Sequence, residues 1–397
     1  LDGDSVSPLI LKQMTDVIEH RGPDGEGAYI KNNIGFGHRR LSIIDLSTLG
    51  NQPMISNNHK IVLTYNGEIY NFRELRTELE ALGYQFRSKT DTEVVLNSWV
   101  EWGENCVFKF NGMFAFAIWD NNSQSLFLVR DRYGIKPLYY AQFGKVFLFA
   151  SEQKSILKHP KAKKEIDYEA LVEYFTFQNF FTNKTLLDNV KLLEPASIAC
   201  LKKDRDLQIK SYWDYHFETS GEKKSKLEYQ EELKRLMKQA VNRQLITDVE
   251  LGAYLSGGMD SGTLTALSAK QLPNMKTFTC GFDLSSVSGI GLLYDERQKA
   301  EAMSALFKTE HYEMVLKAGD MERCMQKLAY HLEEPRVGQC YPNFYAASLA
   351  SKFVKVVLSG AGGDELFGGY PWRYYTAAVQ NNFEGYNKEL INKVSQF

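Results

Sequence analysis

Ser256-Gly257-Gly258-Met259-Asp260-Ser261 follows the apolar run 251–255 and opens a segment of helical spacing, 263–270. Two adjacent glycines let backbone N–H groups approach an anion with no Cβ in the way. A helix starting there adds the partial positive charge of its N-terminus, and Ser256 and Ser261 add hydroxyl donors. No Gly-Lys-Ser/Thr follows, so this is not the phosphate loop of the common nucleoside triphosphatases. It carries an acid, Asp260, and a carboxylate beside phosphates calls for a divalent cation between them. A second loop of the same kind, Ser359-Gly360-Ala361-Gly362-Gly363-Asp364-Glu365, follows the apolar run 354–358. Each loop alone also reads as an ordinary strand-to-helix turn with Ser and Asp caps. Together they read as two walls of one pocket.

Around these loops the sequence alternates between two periods. From residue 229 onward, helices are expected at 231–245, 263–270, 296–307, 321–332 and 344–352, and strands at 251–255, 277–282, 312–315 and 354–358. Strands alternating with helices imply a parallel sheet, which binds ligands at the carboxyl ends of its strands. Residues 1–158 follow another pattern. The runs 34–36, 41–44, 61–65, 113–119, 126–129, 138–140 and 146–150 are rich in β-branched or aromatic residues and bounded by turn formers. Only 10–18 and 72–82 have helical spacing. That is an α+β domain of stacked antiparallel sheets. Residues 159–228 read as a bridge with a helix at 169–177 and a strand at 197–201, and the polar stretch 216–226 takes the boundary before a second domain, 229–397.

Bulk properties narrow the function. A length of 397 residues suits two domains. A net charge of −2 argues against a nucleic-acid partner, and the short lysine clusters are interleaved with acids, as on solvated linkers. The five cysteines are odd in number and form no C-x-x-C pair, which fits a reduced, cytoplasmic setting better than disulfides or a zinc site. No apolar run approaches the ~18 residues of a membrane span. The chain opens at Leu1 inside what reads as a domain, so a fragment is expected.

The first domain holds polar clusters that packing does not explain: Arg21-Gly22-Pro23-Asp24, His38-Arg39-Arg40-Leu41-Ser42-Ile43, Asn66-Gly67-Glu68, Thr90-Asp91-Thr92-Glu93 and the turn Arg130–Pro137. Each has a plain alternative. Asp91 suits a helix first turn with Thr90 and Glu93 as a capping box, Asn66-Gly67 a hairpin turn, and Arg40 a surface ion pair.

The loop SGGMDS and the distal SGAGGDELFGGY resemble the ATP-pyrophosphatase domain of the asparagine synthetase family, and the clusters from Arg21 to about Glu152 resemble its glutaminase domain. The resemblance implies an N-terminal-nucleophile sandwich followed by a Rossmann-like PP-loop domain. It implies glutamine bound by Arg40, Leu41, Ser42, Ile43, Glu68 and Asp91, with Arg40 on the α-carboxylate and both acids on the α-ammonium. Asn66 and the Gly67 N–H become an oxyanion hole. ATP and pyrophosphate fall to Leu255, Ser256, Gly257, Gly258, Asp260, Ser261, Cys280, Ser359 and Gly360, and Mg²⁺ to Asp260 and Asp364. The implied reaction adenylates aspartate and then amidates it with ammonia from glutamine. The family's nucleophile is a cysteine just after the initiator Met. Leu1 stands at the start here and the first cysteine is Cys106, so the glutaminase nucleophile is expected to lie upstream. The family also continues beyond Phe397, and its members are often dimers. Well-studied members carry Glu where this chain has Ala361. That leaves open aspartate, another carboxylate acceptor, or a non-catalytic homologue.

Overall fold

The computed structural model describes residues 5–203, 205–217, 224–283, 285, 295–336, 338 and 340–369. The chain forms two compact units, Leu1–Glu250 with Gly319–Phe344, and Leu251–Ala318 with Tyr345–Phe397.

The first unit begins with α1 (Pro8–Asp16), held at its start by Ser7, whose hydroxyl accepts from Ile10 N, and by a proline in the first turn. There follow β1 (Gly25–Lys31), β2 (Ile34–Arg40), β3 (Met54–Ile55), β4 (Ile61–Ile69), α2 (Phe72–Ala81), α3 (Asp91–Trp102), α4 (Cys106–Lys109), β5 (Gly112–Asp120) and β6 (Ser125–Arg130). Next come β7 (Tyr139–Phe143), β8 (Val146–Ala150), α5 (Gln153–Ile156), α6 (Tyr168–Phe177), β9 (Val190–Leu192), β10 (Ser197–Lys202), β11 (Gln208–Ser211) and α7 (Lys226–Gln244). All strand pairs here are antiparallel: the hairpin β1–β2, a six-stranded sheet β11-β10-β6-β5-β4-β3, and a three-stranded sheet β8-β7-β9.

The alternation of β5 makes the layers. Phe114, Phe116 and Ile118 enter a core with Leu79 of α2 and Val95 and Leu96 of α3. Ala115, Ala117 and Trp119 enter a second core with Phe36 of β2 and Tyr140 of β7. A third core joins Met14 of α1 and Ile156 of α5 to Leu148 of β8. Helices, sheet, sheet and helices therefore stack in order. Each fully buried large apolar side chain contributes about 1.5–3 kcal/mol.

The second unit contains β12 (Leu251–Tyr254), α8 (Met259–Ala269), β13 (Lys276–Phe282), α9 (Arg297–Phe307) and β14 (Glu310–Leu316). The chain then gives α10 (Asp320–Leu332) to the first unit, and after α11 (Cys340–Ala350), which straddles the boundary at Phe344, come β15 (Val356–Leu358) and α12 (Gly363–Phe367) of the second. Its sheet, β14-β13-β12-β15, is parallel throughout. No helix among the described residues is long and apolar enough to cross a membrane.

Several expectations shift. The run 41–44 is not a strand: β2 ends at Arg40, and Ser42 N turns to Asp24 Oδ2 at 2.8 Å. The bridge 159–228 supplies β9, which pairs with β7, and β10, which pairs with β6. The strand expected at 197–201 is β10, while β9 and β11 are short and reveal themselves only through their partners. Helix α7 starts at Lys226 because Ser225 and Glu228 form a capping box, and α8 starts at Met259, inside the quoted motif. The sequence after Tyr370 also reads as a helical tail, and it lies outside the described residues.

Candidate functional site

In the first unit the site is built on one edge of β4. The residues at 61, 63, 65, 67 and 69 turn their backbone groups away from β5. Phe114, opposite Gly67, gives its own N–H and carbonyl to Asp131 on the far side, so this pair is of the non-hydrogen-bonded type. On the open edge, Tyr65 N donates to Gln52 Oε1 (2.7 Å) and Tyr65 O accepts from Gln52 Nε2 (3.1 Å). Ile69 N donates to Asp91 Oδ2 (3.0 Å). Between them the Gly67 N–H faces outward with no acceptor among the described residues. Beside it Asn66 Nδ2 and Glu68 Oε1 are buried, also without partners among the described residues. Asn66-Gly67 is thus mid-strand, and the hairpin-turn alternative falls.

Asp91 is 5% exposed. Tyr65 Oη also donates to its Oδ2 (2.7 Å), and burial still pushes its pKa up. Burial, then the neighbouring Asp91, pushes Glu68 up to about 7, against a downward pull from Lys136. The buried Asp91 and the half-buried Glu68 thus lie within electrostatic reach of each other, a cost that a neighbouring cation relieves. Thr90 caps α3 through Thr92 N (3.1 Å), but Glu93 turns to Ser88 N (2.7 Å) and Arg87 N (3.0 Å), so there is no capping box.

Arg40 closes β2 and is 7% exposed, not a surface ion pair. Its guanidinium donates to Ser47 O (2.6 Å), Asn51 Oδ1 (3.1 Å) and Asp45 O. The loop closes so tightly that a Cβ on Gly50 would stand 2.1 Å from Nη2. All three acceptors are neutral, which leaves a buried cation with no carboxylate on its donors. Leu41 is exposed, Ser42 buried and Ile43 half-buried on the turn that follows. The turn after β6 ties Asp131 and Arg130 to nearby backbone and leaves Lys136 to act on Glu68. Asp131 accepts from the N–H groups of Phe114, Tyr133, Ile135 and Lys136, and Arg130 donates to Lys136 O, Gly134 O and Leu193 O.

In the second unit β12 has β13 on one side and β15 on the other, so the connection order reverses at its carboxyl end. Such a switch point opens a crevice for a ligand, and both glycine-rich loops sit there. A Cβ on Gly360 would lie 2.8 Å from Ser261 N, and one on Gly363 would lie 2.4 Å from Asp260 Cγ. Glycine is what lets the loops meet. Ser256 and Ser261 hold the first loop through Oγ···Oγ (3.0 Å) and Ser256 N→Ser261 Oγ (3.2 Å). Gly257 has φ +76°, and a Cβ there would strike Lys299 Cβ at 2.4 Å. The side chains of Asp260 and Asp364 have no hydrogen-bond partner among the described residues, and both residues are half-buried. Leu255 is 1% exposed; its N–H goes to Phe278 O and its carbonyl accepts from Thr279. Cys280 is half-buried on β13 and Ser359 is exposed, its Oγ accepting from Ala361 N (3.2 Å).

Residues 2–213 match the glutamine amidotransferase domain family and 232–395 the asparagine synthase family. The putative glutamine-hydrolysing asparagine synthetase 2 of Methanocaldococcus jannaschii is 35% identical over 98% of this chain and 76% of its own length. This chain belongs to the glutamine-hydrolysing asparagine synthetase family. Two family members of Bacillus subtilis, glutamine-hydrolysing asparagine synthetases 1 and 3, are 38% and 35% identical over 91% and 94% of this chain. The chain spans 56% and 62% of their lengths. The fold is that of the family, an N-terminal-nucleophile sandwich followed by a PP-loop domain. Within it the sequence reading missed Gln52, which seals the β4 edge beside Gly67, and Lys299, which packs on Gly257 of the first glycine loop. Neither lies in a motif; only strand register and helix packing bring them to their sites.

Proposed function

We propose that this chain serves glutamine-dependent asparagine synthesis, with the first unit binding glutamine and the second binding ATP and aspartate. The observation that carries the reading is the complementary pair of vacant charges on the β4 edge. The Arg40 guanidinium has no carboxylate on its donors, with Asp45, Asp24 and Asp91 acting on it only at longer range, and Glu68 and Asp91 form no ion pair among the described residues. An α-amino acid supplies both at once. The Asn66 amide and Gly67 N–H then point where charge develops on an attacked carbonyl oxygen, as an oxyanion hole. Cys106 is no nucleophile for this step, since it is fully buried in the core and burial pushes its thiol up.

In the second unit, the loops around Gly257 and Gly360 receive the phosphates. Asp260 and Asp364 are the residues that would hold Mg²⁺. Two carboxylates suit an ion whose other ligands are phosphate oxygens and water. Bound there, Mg²⁺ would neutralise the departing pyrophosphate. The aspartate carboxylate attacks the α-phosphorus, pyrophosphate leaves, and ammonia displaces AMP from the acyl carbon. Ala361 favours a second reading with the same chemistry on another carboxylate. The test uses the protein expressed from its complete reading frame, with ATP, Mg²⁺ and ammonium. AMP and asparagine appearing only with aspartate support the first reading. AMP formed with other carboxylic acids but not with aspartate supports the second.

A further inference from the structure

Three glycines of the second unit face α9 at close range. A Cβ on Gly281 would stand 2.5 Å from Arg297 Cδ, one on Gly257 2.4 Å from Lys299 Cβ, and one on Gly262 2.9 Å from Met303 Sδ. Ala300, between these contacts, is fully buried. The first turns of α9 are therefore seated on the phosphate loop, and Lys299 leaves the helix directly over Gly257. Arg297, two residues earlier, is spent: it donates to Asp295 and to Phe282 O (2.8 Å). Lys299 is exposed and has no hydrogen bond or ion pair among the described residues. It acts electrostatically on Glu296, whose carboxylate also accepts from Ser256 of the loop.

The charges of the two glycine-rich loops give this side chain a role. Residues 255–261 contribute one acid and no cation, and residues 359–369 contribute Asp364, Glu365 and no cation. An anion as highly charged as a triphosphate meets acids on both walls. A lysine acts on phosphate as a mobile point charge on a long stem.

We propose that Lys299 is a phosphate-binding residue of the second unit, supplying the cation that the two glycine-rich loops lack and closing on the pyrophosphate portion of ATP. The inference rests on the ATP reading of that pocket. The test compares the complete protein with K299Q and K299R. Two readouts are used: binding of Mg-pyrophosphate by calorimetry, and KM for ATP against kcat in AMP formation. K299Q is expected to weaken pyrophosphate binding about tenfold and to raise KM for ATP. K299R should recover most of the loss, and adding salt should shrink the difference between parent and K299Q. All three should melt at the same temperature, because the side chain is exposed. Parent and K299Q binding pyrophosphate within twofold of each other overturns the inference, whether or not AMP forms. A parent that binds pyrophosphate but makes no AMP counts against the enzymatic reading alone. A parent that binds no pyrophosphate overturns both.

Discussion

The β4 edge and the paired glycine loops solve opposite problems. The first is built from charges already out of water: Arg40 is caged by carbonyls, and Asp91 is held by Tyr65 and Ile69. The second is built from charges still half in water, with Asp260 and Asp364 lacking a hydrogen-bond partner among the described residues. In the first, desolvation was met in folding, and the ligand finds its counter-charges pre-oriented. In the second, glycine sets the shape and the ligand completes the electrostatics. A buried preorganised site trades stability for binding; a half-exposed one does so much less.

The comparison breaks most visibly at Gly363. Gly363→Ala places a methyl on the Asp260 carboxylate, and ATP-dependent AMP formation should fall at least about a hundredfold. Glutamine binding, measured separately, should not change. Arg40→Ala is the counterpart in the first unit. It removes a charge-assisted anchor for a carboxylate, and glutamine affinity should drop roughly a hundredfold in calorimetry, with ammonia-dependent AMP formation intact.

Glu68 sharpens the contrast through pH. Its folded pKa of about 7 lies above the ordinary 4.5. The stability linked to it is therefore fully present below about pH 4.5 and is lost as pH rises through 7, by up to about 3 kcal/mol. Glutamine binding runs the other way, because the ammonium needs the ionised acid. Affinity should fall as pH drops from 8 to 6. Glu68→Gln should flatten that profile, weaken binding about tenfold at pH 8, and raise the melting temperature there. Asp260→Asn is expected to give the smallest stability change, within about 0.5 kcal/mol by denaturant titration, because no hydrogen bond is lost. The same variant should need more Mg²⁺ for half-maximal AMP formation.

Legibility in the sequence follows the same divide. The glycine loops announce themselves locally, since a turn that must admit backbone to an anion shows its glycines and its acid within six residues. The alternation of periods from residue 229 likewise carries the parallel sheet. The β4 edge does not announce itself. Asn66-Gly67 looks like a hairpin turn until its register with Ala115 and Phe114 places it mid-strand, and Gln52 reaches it across thirteen residues with no motif. The cluster at Arg130–Pro137 ties most of its charges to nearby backbone and sends one, Lys136, toward Glu68. A short-range sequence pattern reports backbone geometry well, but it does not say which buried charges are left for a ligand.

One feature of the second sheet bears on how the chain is made. Leu251 of β12 pairs with Val356 of β15, 105 residues later (356 less 251). At about 5–20 residues per second, the ribosome leaves that side of β12 bare for roughly 5–20 s after the strand has formed. The edge that waits borders the crevice where the two glycine loops meet. A nascent chain halted in that interval displays an unpaired parallel strand beside half a pocket, an edge suited to chaperones during translation.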